Sequence, residues 1–425
     1  MDKNRAALTP PMGWNSWDCY GASVTEEILL GNAAYMAEHL KEYGWQYVVC
    51  DIQWSEPTAD SCDYHPFAEL CMDEYSRLIP APNRFPSSAG GRGFAPIAEQ
   101  IHAMGLKFGI HIMRGIPRQA VHRNTPVKGT DVGARSLAQS WSLCRWNTDM
   151  YGLNPEAKDA QRYYDSIFEL YASWGVDYVK VDDICNTNTG AHAPYSAQAE
   201  VEMIRRAIDR CGREMVLSLS PGPAQIEKAW HLCRYANMWR ITDDFWDEWP
   251  LLKAMFERCD VWQTHVKPGC WPDCDMLPLG MLRCFRGRGE WTHFTRDEQR
   301  TLMNLWCMFR SPLMMGGDMR RNDDWTLSLL TNAELLRLTN SPTPAVQLLR
   351  SDDEAAWTNR DADGRRCVAL FNLSDAPRTV RVPLAELGMA QARLHDLWAH
   401  EVVGEAEGEV SVLLAPHASV AYRLE

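Results

Sequence analysis

Residues 176–185, VDYVKVDDIC, set Lys180, Asp182 and Asp183 among Val176, Tyr178, Val179 and Val181. In an extended strand successive side chains point to opposite faces, so Lys180 and Asp182 share one side while Val179 and Val181 share the other. A second acid-rich stretch, WRITDDFWDEW (239–249), carries Arg240, Asp243 and Asp244, and a third, GCWPDCDMLPLG (269–280), carries Asp273 and Asp275. Carboxylates beside cations are what glycoside hydrolysis needs. One carboxylate attacks the sugar and one carboxylic acid protonates the leaving oxygen, roughly 5–5.5 Å apart in retaining enzymes. Lys180 beside Asp182 would keep that carboxylate ionised, as a nucleophile requires. The plainer alternative is a structural salt bridge at a strand end, and the other two acidic stretches weigh against it. No Gly-x-Ser-x-Gly and no HExxH occurs, which removes the serine-hydrolase and zinc-peptidase patterns. Cys270 and Cys274 have the wrong spacing for a zinc pair. No metal or other cofactor is expected, and the histidines read as hydrogen-bonding residues.

These residues need a scaffold that gathers strand ends. Short apolar runs recur at 12–17, 47–52, 107–112, 177–183, 215–220, 236–242 and 311–317. Between them lie amphipathic stretches at 25–44, 93–105, 156–175, 197–212 and 296–309. Gly44, Gly105, Gly175 and Gly212 stand where helix C-caps belong. Such alternation implies a parallel sheet with crossover helices, and its number of repeats favours an α/β (β/α)8 TIM barrel, here over residues 1–340. No GxGxxG follows the first strand, against a dinucleotide fold. In a barrel the site lies at the C-terminal strand ends. The polar residues closing the runs are Trp17 and Asp18, Asp51 and Gln53, His111 and Arg114, Lys180 and Asp182, Ser218 and Ser220, Arg240 and Asp244, then Asp273 and Asp275. From about residue 341 to 425 the texture becomes short alternating runs separated by turns, which reads as a C-terminal antiparallel β-sandwich that caps the barrel.

A formal net charge of −13 argues against a nucleic-acid partner. No apolar run is long enough to span a membrane. The N-terminus lacks an apolar leader core, and fourteen scattered cysteines suit reduced thiols, so a cytoplasmic location is expected. The eighteen tryptophans suit either a core or a sugar site, where flat rings stack on sugar faces.

Four stretches in order, LTPPMGWNSW (8–17), YVKVDDIC (178–185), WRITDDFWDEW (239–249) and GCWPDCDMLPLG (269–280), resemble glycoside hydrolase family 27, the melibiase-type α-galactosidases and α-N-acetylgalactosaminidases. SPLMMGGDM (311–319) and the C-terminal sandwich extend the resemblance over the whole chain. It implies a retaining exo-glycosidase that removes a terminal galacto-configured sugar, with α-galactosidic bonds the first expectation. It implies Asp182, in Lys180-Val181-Asp182, as nucleophile. Asp244, four residues after Arg240, is implied as acid/base, with Asp243 its nearest rival. Arg240 would orient Asp244 and bind near the sugar's 2-position. Trp17 would stack on the sugar, and Lys180 and Asp51 would bind its hydroxyls. Trp271 and Asp275 fall in the family's W-x-D-x-D-M-L motif and would serve the pocket, and His111 stands where the family often has an aromatic residue.

Two positions depart from the family pattern. Family α-galactosidases carry two adjacent aspartates after the second strand, gripping the 4- and 6-hydroxyls; here the second is Ile52. An isoleucine cannot accept a hydrogen bond, and it suits an arabinopyranose lacking the C6 hydroxymethyl, with Gln53 a candidate to compensate. After the fifth strand, Ser220 stands where galactosidases have a glutamate, which would leave room for a 2-acetamido group. α-N-acetylgalactosaminidase and β-L-arabinopyranosidase are therefore the alternatives within the family. Outside it, the rival is an inactive carbohydrate-binding barrel. The partner expected is a carbohydrate, and a homo-oligomer is the assembly the resemblance suggests.

Overall fold

The computed structural model describes residues 2–185 and 197–425. Eight short strands form one curled parallel sheet: β1 (Met12–Asn15), β2 (Tyr47–Cys50), β3 (Lys107–Met113), β4 (Tyr178–Asp182), β5 (Val216–Leu219), β6 (Met238–Arg240), β7 (Trp271–Asp273) and β8 (Leu313–Met315). The order runs β7-β6-β5-β4-β3-β2-β1-β8. The two edges meet through one parallel bridge between Leu277, just after β7, and Met315 on β8. This is the expected (β/α)8 architecture. Val48, Val49, Val179, Val181, Leu217 and Leu219 are fully buried, as the near-continuous apolar runs of a parallel sheet covered by helices require. The crossover helices include Glu26–His39, Ala95–Ala103, Ala160–Ser173, Gln198–Arg210 and Arg296–Phe309. Gly44, Gly105, Gly175 and Gly212 all adopt positive φ where the chain leaves a helical segment for the next strand.

Register sets the site. On β3 and β4, His111 lies opposite Lys180 and Met113 opposite Asp182. On β6 and β7, Arg240 lies opposite Asp273. Two connections are longer than the helical pattern suggests. Residues 51–94 run between β2 and the helix Ala95–Ala103, and a three-stranded antiparallel sheet (Ile116–Pro117, Ala138–Leu143, Met150–Leu153) is inserted after β3.

The last barrel turn is Arg337–Asn340, and the first strand of the C-terminal unit is Val346–Arg350. This unit has a six-stranded antiparallel sheet and a two-stranded one. Alternation along the strand Arg366–Asn372 explains its place. Cys367, Ala369 and Phe371 join the barrel's core, while Val368 and Leu370 face the second sheet in a separate core. The helix Arg296–Phe309 lies between the two units. A Thr295–Glu298 capping box fixes its start. Thr301 and Asn304 bond Ser419, and Trp398 donates to Asn304. The sandwich thus packs against the barrel through this helix. Among the described residues no helix is long and apolar enough to cross a membrane.

Candidate active site

A cavity of about 660 Å³ opens at the C-terminal ends of the strands, within the usual size range of small-molecule sites. Trp17, Asp51, Ile52, Lys180, Asp182, Arg240, Asp244 and Asp275, all singled out from the sequence, line it together. Asp243 and Asp183 line it as well.

At its floor Asp51 accepts from Asn15 Nδ2 (2.7 Å) and Lys180 Nζ (3.0 Å) on Oδ2, and from the Ile52 N–H (2.9 Å) on Oδ1. Burial disfavours its charge, but Lys180, His111 and these donors outweigh burial, and the carboxyl lies below its ordinary range. Asp182 takes a bond from His111 Nε2 at 3.1 Å on Oδ2 and from the Asp183 N–H at 2.8 Å on Oδ1. Burial again opposes ionisation. The His111 bond and the charges of Lys180 and Arg240 overcome it, so Asp182 lies well below the ordinary carboxylate range. Lys180 is raised above its ordinary value, because Asp51 and Asp182 more than reverse the effect of burial.

Across the cavity Arg240 is a fork. One nitrogen lies 2.6 Å from Asp244 Oδ1 and the other 3.2 Å from Asp275 Oδ2. Asp244 is much the more solvent-exposed, with 62% of its side chain accessible against 7% for Asp275, so it can exchange protons with water. Asp243 Oδ1 accepts from the Asp244 N–H, and Asp244, not Asp243, receives the arginine. Asp275 is held in a left-handed conformation (φ 76°), with Asp273 accepting from its N–H and its own Oδ2 accepting from the Phe245 N–H. Strain of this kind persists where surrounding bonds over-determine it. Burial raises Asp275, with Arg240 opposing. Burial and Asp275 push Asp273 up to about 7.

Four residues stand elsewhere than expected. Trp271 is fully buried, donates to the Ala7 carbonyl and packs under Arg310, because it starts its strand rather than finishing it; it does not line the cavity. His111 is 1% exposed and reaches the cavity only through Asp182. Ser220 is fully buried, and Pro221 presents the wall in its place. Gln53 donates to Asp149 and does not line the cavity, so it does not compensate for Ile52. Ile52 packs with Met113, Cys144 and Met150 in an apolar wall against Trp17 and Tyr64.

Other lining residues are not singled out by the sequence reading, namely Tyr64, Arg145, Trp146, Phe245 and Trp246, while Met276 falls in the W-x-D-x-D-M-L motif. Tyr64 stacks on Trp17 with ring centroids 5.8 Å apart, and Trp146 packs on Tyr64. Tyr64, Arg145 and Trp146 lie on the two long connections, which carry no periodic signal; their aromatic and basic character at strand-end loops was the one clue available.

Fold and acid-lined pocket together define an O-glycoside hydrolase built on a (β/α)8 barrel. Residues 156–340 match the family described as alpha galactosidase A, and residues 351–424 match the alpha galactosidase C-terminal beta sandwich domain. The chain belongs to glycoside hydrolase family 27. It is 56% identical to a β-L-arabinopyranosidase of that family from Geobacillus stearothermophilus, covering 100% of this chain and 98% of that one with a TM-score of 0.96. A Bacillus halodurans protein provisionally assigned as an α-N-acetylgalactosaminidase is 52% identical over 98% of this chain and 97% of its own, with a TM-score of 0.89. The α-galactosidase of Oryza sativa subsp. japonica is 28% identical over 99% of this chain and 86% of its own length.

Proposed function

We propose that the enzyme is a retaining exo-glycosidase that removes terminal β-L-arabinopyranosyl units. The observation that carries this reading is Ile52. Where a galactosidase would offer a second carboxylate, the cavity has Ile52, backed by the buried apolar cluster of Met113, Cys144 and Met150. A sugar of galacto configuration without C6 leaves no hydroxyl unpaired against it, while a galactosyl C6 hydroxyl would be desolvated there without a partner. The β-L-arabinopyranosidase at 56% identity supports the same choice. α-Galactosides, which share the ring configuration, are the weaker second substrate. Ser220, which suggested an acetamido pocket, does not reach the cavity.

In this mechanism Asp182 attacks C1 as Asp244 gives its proton to the departing glycosidic oxygen, and the C1–O bond breaks. Asp244 then takes a proton from water, whose oxygen attacks C1 and releases Asp182, so the anomeric configuration is retained. Lys180 keeps Asp182 ionised and Arg240 orients Asp244. Asp51 and Asp275 bind hydroxyls, and Trp17 stacks on the ring. The enzyme would act in the cytoplasm, a reading supported by fourteen free cysteines, and as a homo-oligomer, which light scattering would measure.

The test is initial rates on the p-nitrophenyl β-L-arabinopyranoside, α-galactoside and α-N-acetylgalactosaminide. The arabinopyranoside should lead by kcat/KM; a lead by either of the others sinks this choice of sugar.

A further inference from the structure

A second pocket, of about 430 Å³, includes Phe67, Glu69, Arg118, Asp149 and Tyr151 in its lining and shares no residue with the sugar cavity. The same two long connections build both. One brings Tyr64 to the sugar cavity and Phe67 to this pocket. The other brings Trp146 to the cavity and Thr148, Asp149 and Tyr151 here. The walls are fixed. Gln119 accepts from the Leu70 N–H at 2.8 Å and donates to the Leu70 carbonyl at 3.0 Å. Phe67 is held at positive φ (57°), with its N–H donating to Thr148 Oγ1 at 2.7 Å. Its ring is 72% exposed, so one face stays open.

Arg118 is the recognition group. Its Cζ lies 4.9 Å from the ring centroid of Phe67 and 4.9 Å from that of Tyr151. Strand pairing sets this clamp, because Ile116 and Pro117, just before Arg118, pair with Tyr151 and Met150. Two rings engage the guanidinium by its faces, which leaves its N–H edge to recognise something else. Among the described residues the guanidinium makes no hydrogen bond and no ion pair, although the protein carries a net charge of −13. The carboxylates of the pocket are already engaged. Glu69 pairs with Arg123 at 2.8 Å, and Asp149 accepts from Gln53 at 2.6 Å. Burial raises Asp149, with Gln53, Asn147 and Arg118 opposing. A pinned guanidinium edge matches a planar carboxylate in bidentate fashion. A dianionic phosphate would be repelled more strongly by Glu69 and Asp149, so a singly charged group is favoured. The open face of Phe67 beside it suits the apolar face of a pyranose.

We infer that this pocket binds a uronic acid residue, its carboxylate on the Arg118 edge and its ring on Phe67, so that the enzyme holds acidic glycans at a point separate from where it cuts them. The inference rests on the chain being a glycoside hydrolase, and not on which terminal sugar fills the main cavity.

The experiment titrates methyl β-D-glucuronide, methyl β-D-glucoside, acetate and inorganic phosphate into the enzyme, with binding read by ligand-observed NMR. The glucuronide should bind saturably, at least tenfold more tightly than the other three. Arg118→Met should weaken it at least tenfold and Phe67→Ala at least threefold. Trp17→Ala, which alters the sugar cavity, should leave it unchanged. Both pocket variants should keep the unmodified rate on the preferred p-nitrophenyl glycoside, which shows that they are folded. If Arg118→Met does not fold, Phe67→Ala, at an exposed position, decides by the same criterion. A glucuronide that does not bind, or binds equally well in the folded pocket variants, overturns the inference. Equal affinity for acetate or phosphate overturns the sugar acid in favour of a plain anion site. If no p-nitrophenyl glycoside is cleaved, it is the proposed reaction that has failed; circular dichroism then reports folding, and the titration decides as before.

Discussion

The Lys180 ammonium lies 3.0 Å from Oδ2 of Asp51, contributed by a strand more than a hundred residues earlier in the chain. Sequence alternation expects Lys180 to serve Asp182, two residues on. Its direct partner is instead the carboxylate at the sugar-binding floor, while Asp182 takes its own bond from His111. Lys180 still lowers Asp182 through space. One cation therefore steadies both the residue that binds hydroxyls and the residue proposed to attack.

Lys180→Met should damage both functions. Asp51 would be left 1% exposed without its cation, at a cost of about 3–5 kcal/mol for a broken buried pair. Asp182 would lose one of the charges holding it ionised. The variant is expected to lose at least roughly a hundredfold in kcat/KM, and the acidic limb of its pH–rate profile should move upward. A profile unchanged in position would show that Lys180 does not tune Asp182.

Asp182→Asn should lower hydrolysis by roughly 10⁴-fold or more while leaving sugar binding measurable by calorimetry. Azide sharpens the assignment. With Asp182→Gly it should attack from the vacated face and give the inverted glycosyl azide. With Asp244→Gly it should intercept the glycosyl-enzyme and give the retained one. Reversed products would exchange the two roles, and hydrolysis that survives Asp182→Asn would show that Asp182 is not the nucleophile.

Much of this site is legible in the sequence because barrel chemistry sits where apolar runs end in polar residues. Asp51, Lys180, Asp182, Arg240 and Asp244 follow from that rule and do line one cavity. Position along the strand decides the failures. Trp271 sits in the right motif but begins β7, so it lies a layer below the mouth. The β7 segment, Trp-Pro-Asp, is too short to register as an apolar run and shows only through its acids. Tyr64 and Trp146 reach the cavity from long connections whose course depends on tertiary packing, for which neither period two nor period 3.6 leaves a trace. Asp18 closes the first run, yet only its burial against Gly316 distinguishes it from a solvated carboxylate.

Ile52→Asp tests the apolar wall. The kcat/KM for the α-galactoside relative to the β-L-arabinopyranoside should rise at least tenfold, since the new carboxylate can accept from the C6 hydroxyl. Placing it against Met113, Cys144 and Met150 should lower stability by roughly 1–3 kcal/mol. An unchanged ratio in a folded variant would mean that the wall does not read C6.

Arg114 holds the segment behind the nucleophile. It pairs with Asp183 at 3.0 Å and Glu200 at 3.1 Å, and Glu200 also accepts from Tyr164. The Asp183 N–H in turn donates to Asp182. Arg114→Met would strand two buried carboxylates. It should destabilise the fold by about 3–5 kcal/mol, read as a lowered denaturant midpoint; Arg114→Lys should recover part of that loss. A midpoint of Arg114→Met unchanged from that of the unmodified protein would show that the pairing contributes nothing.

Asp273 should make stability depend on pH in the direction opposite to an ordinary paired carboxylate. Burial and Asp275 raise it to about 7 in the folded chain from an ordinary 3.8. Between those values the folded state holds a proton that the unfolded state has released, so the contribution is complete below about pH 4 and is lost as pH rises through about 7. Asp273→Asn keeps an oxygen to accept the Asp275 N–H and cannot ionise. Relative to the unmodified protein it should already be somewhat more stable at pH 5 and distinctly more so at pH 8, the gap widening between the two by an amount of order 1–4 kcal/mol. Thermal midpoints of the two proteins at both pH values measure it, and the comparison cancels Asp183, which is raised to about 7 in both. A gap that narrows as pH rises would mean that Asp273 is ionised in the folded enzyme and that the nearby Arg240, which lies opposite it across β6 and β7, outweighs burial.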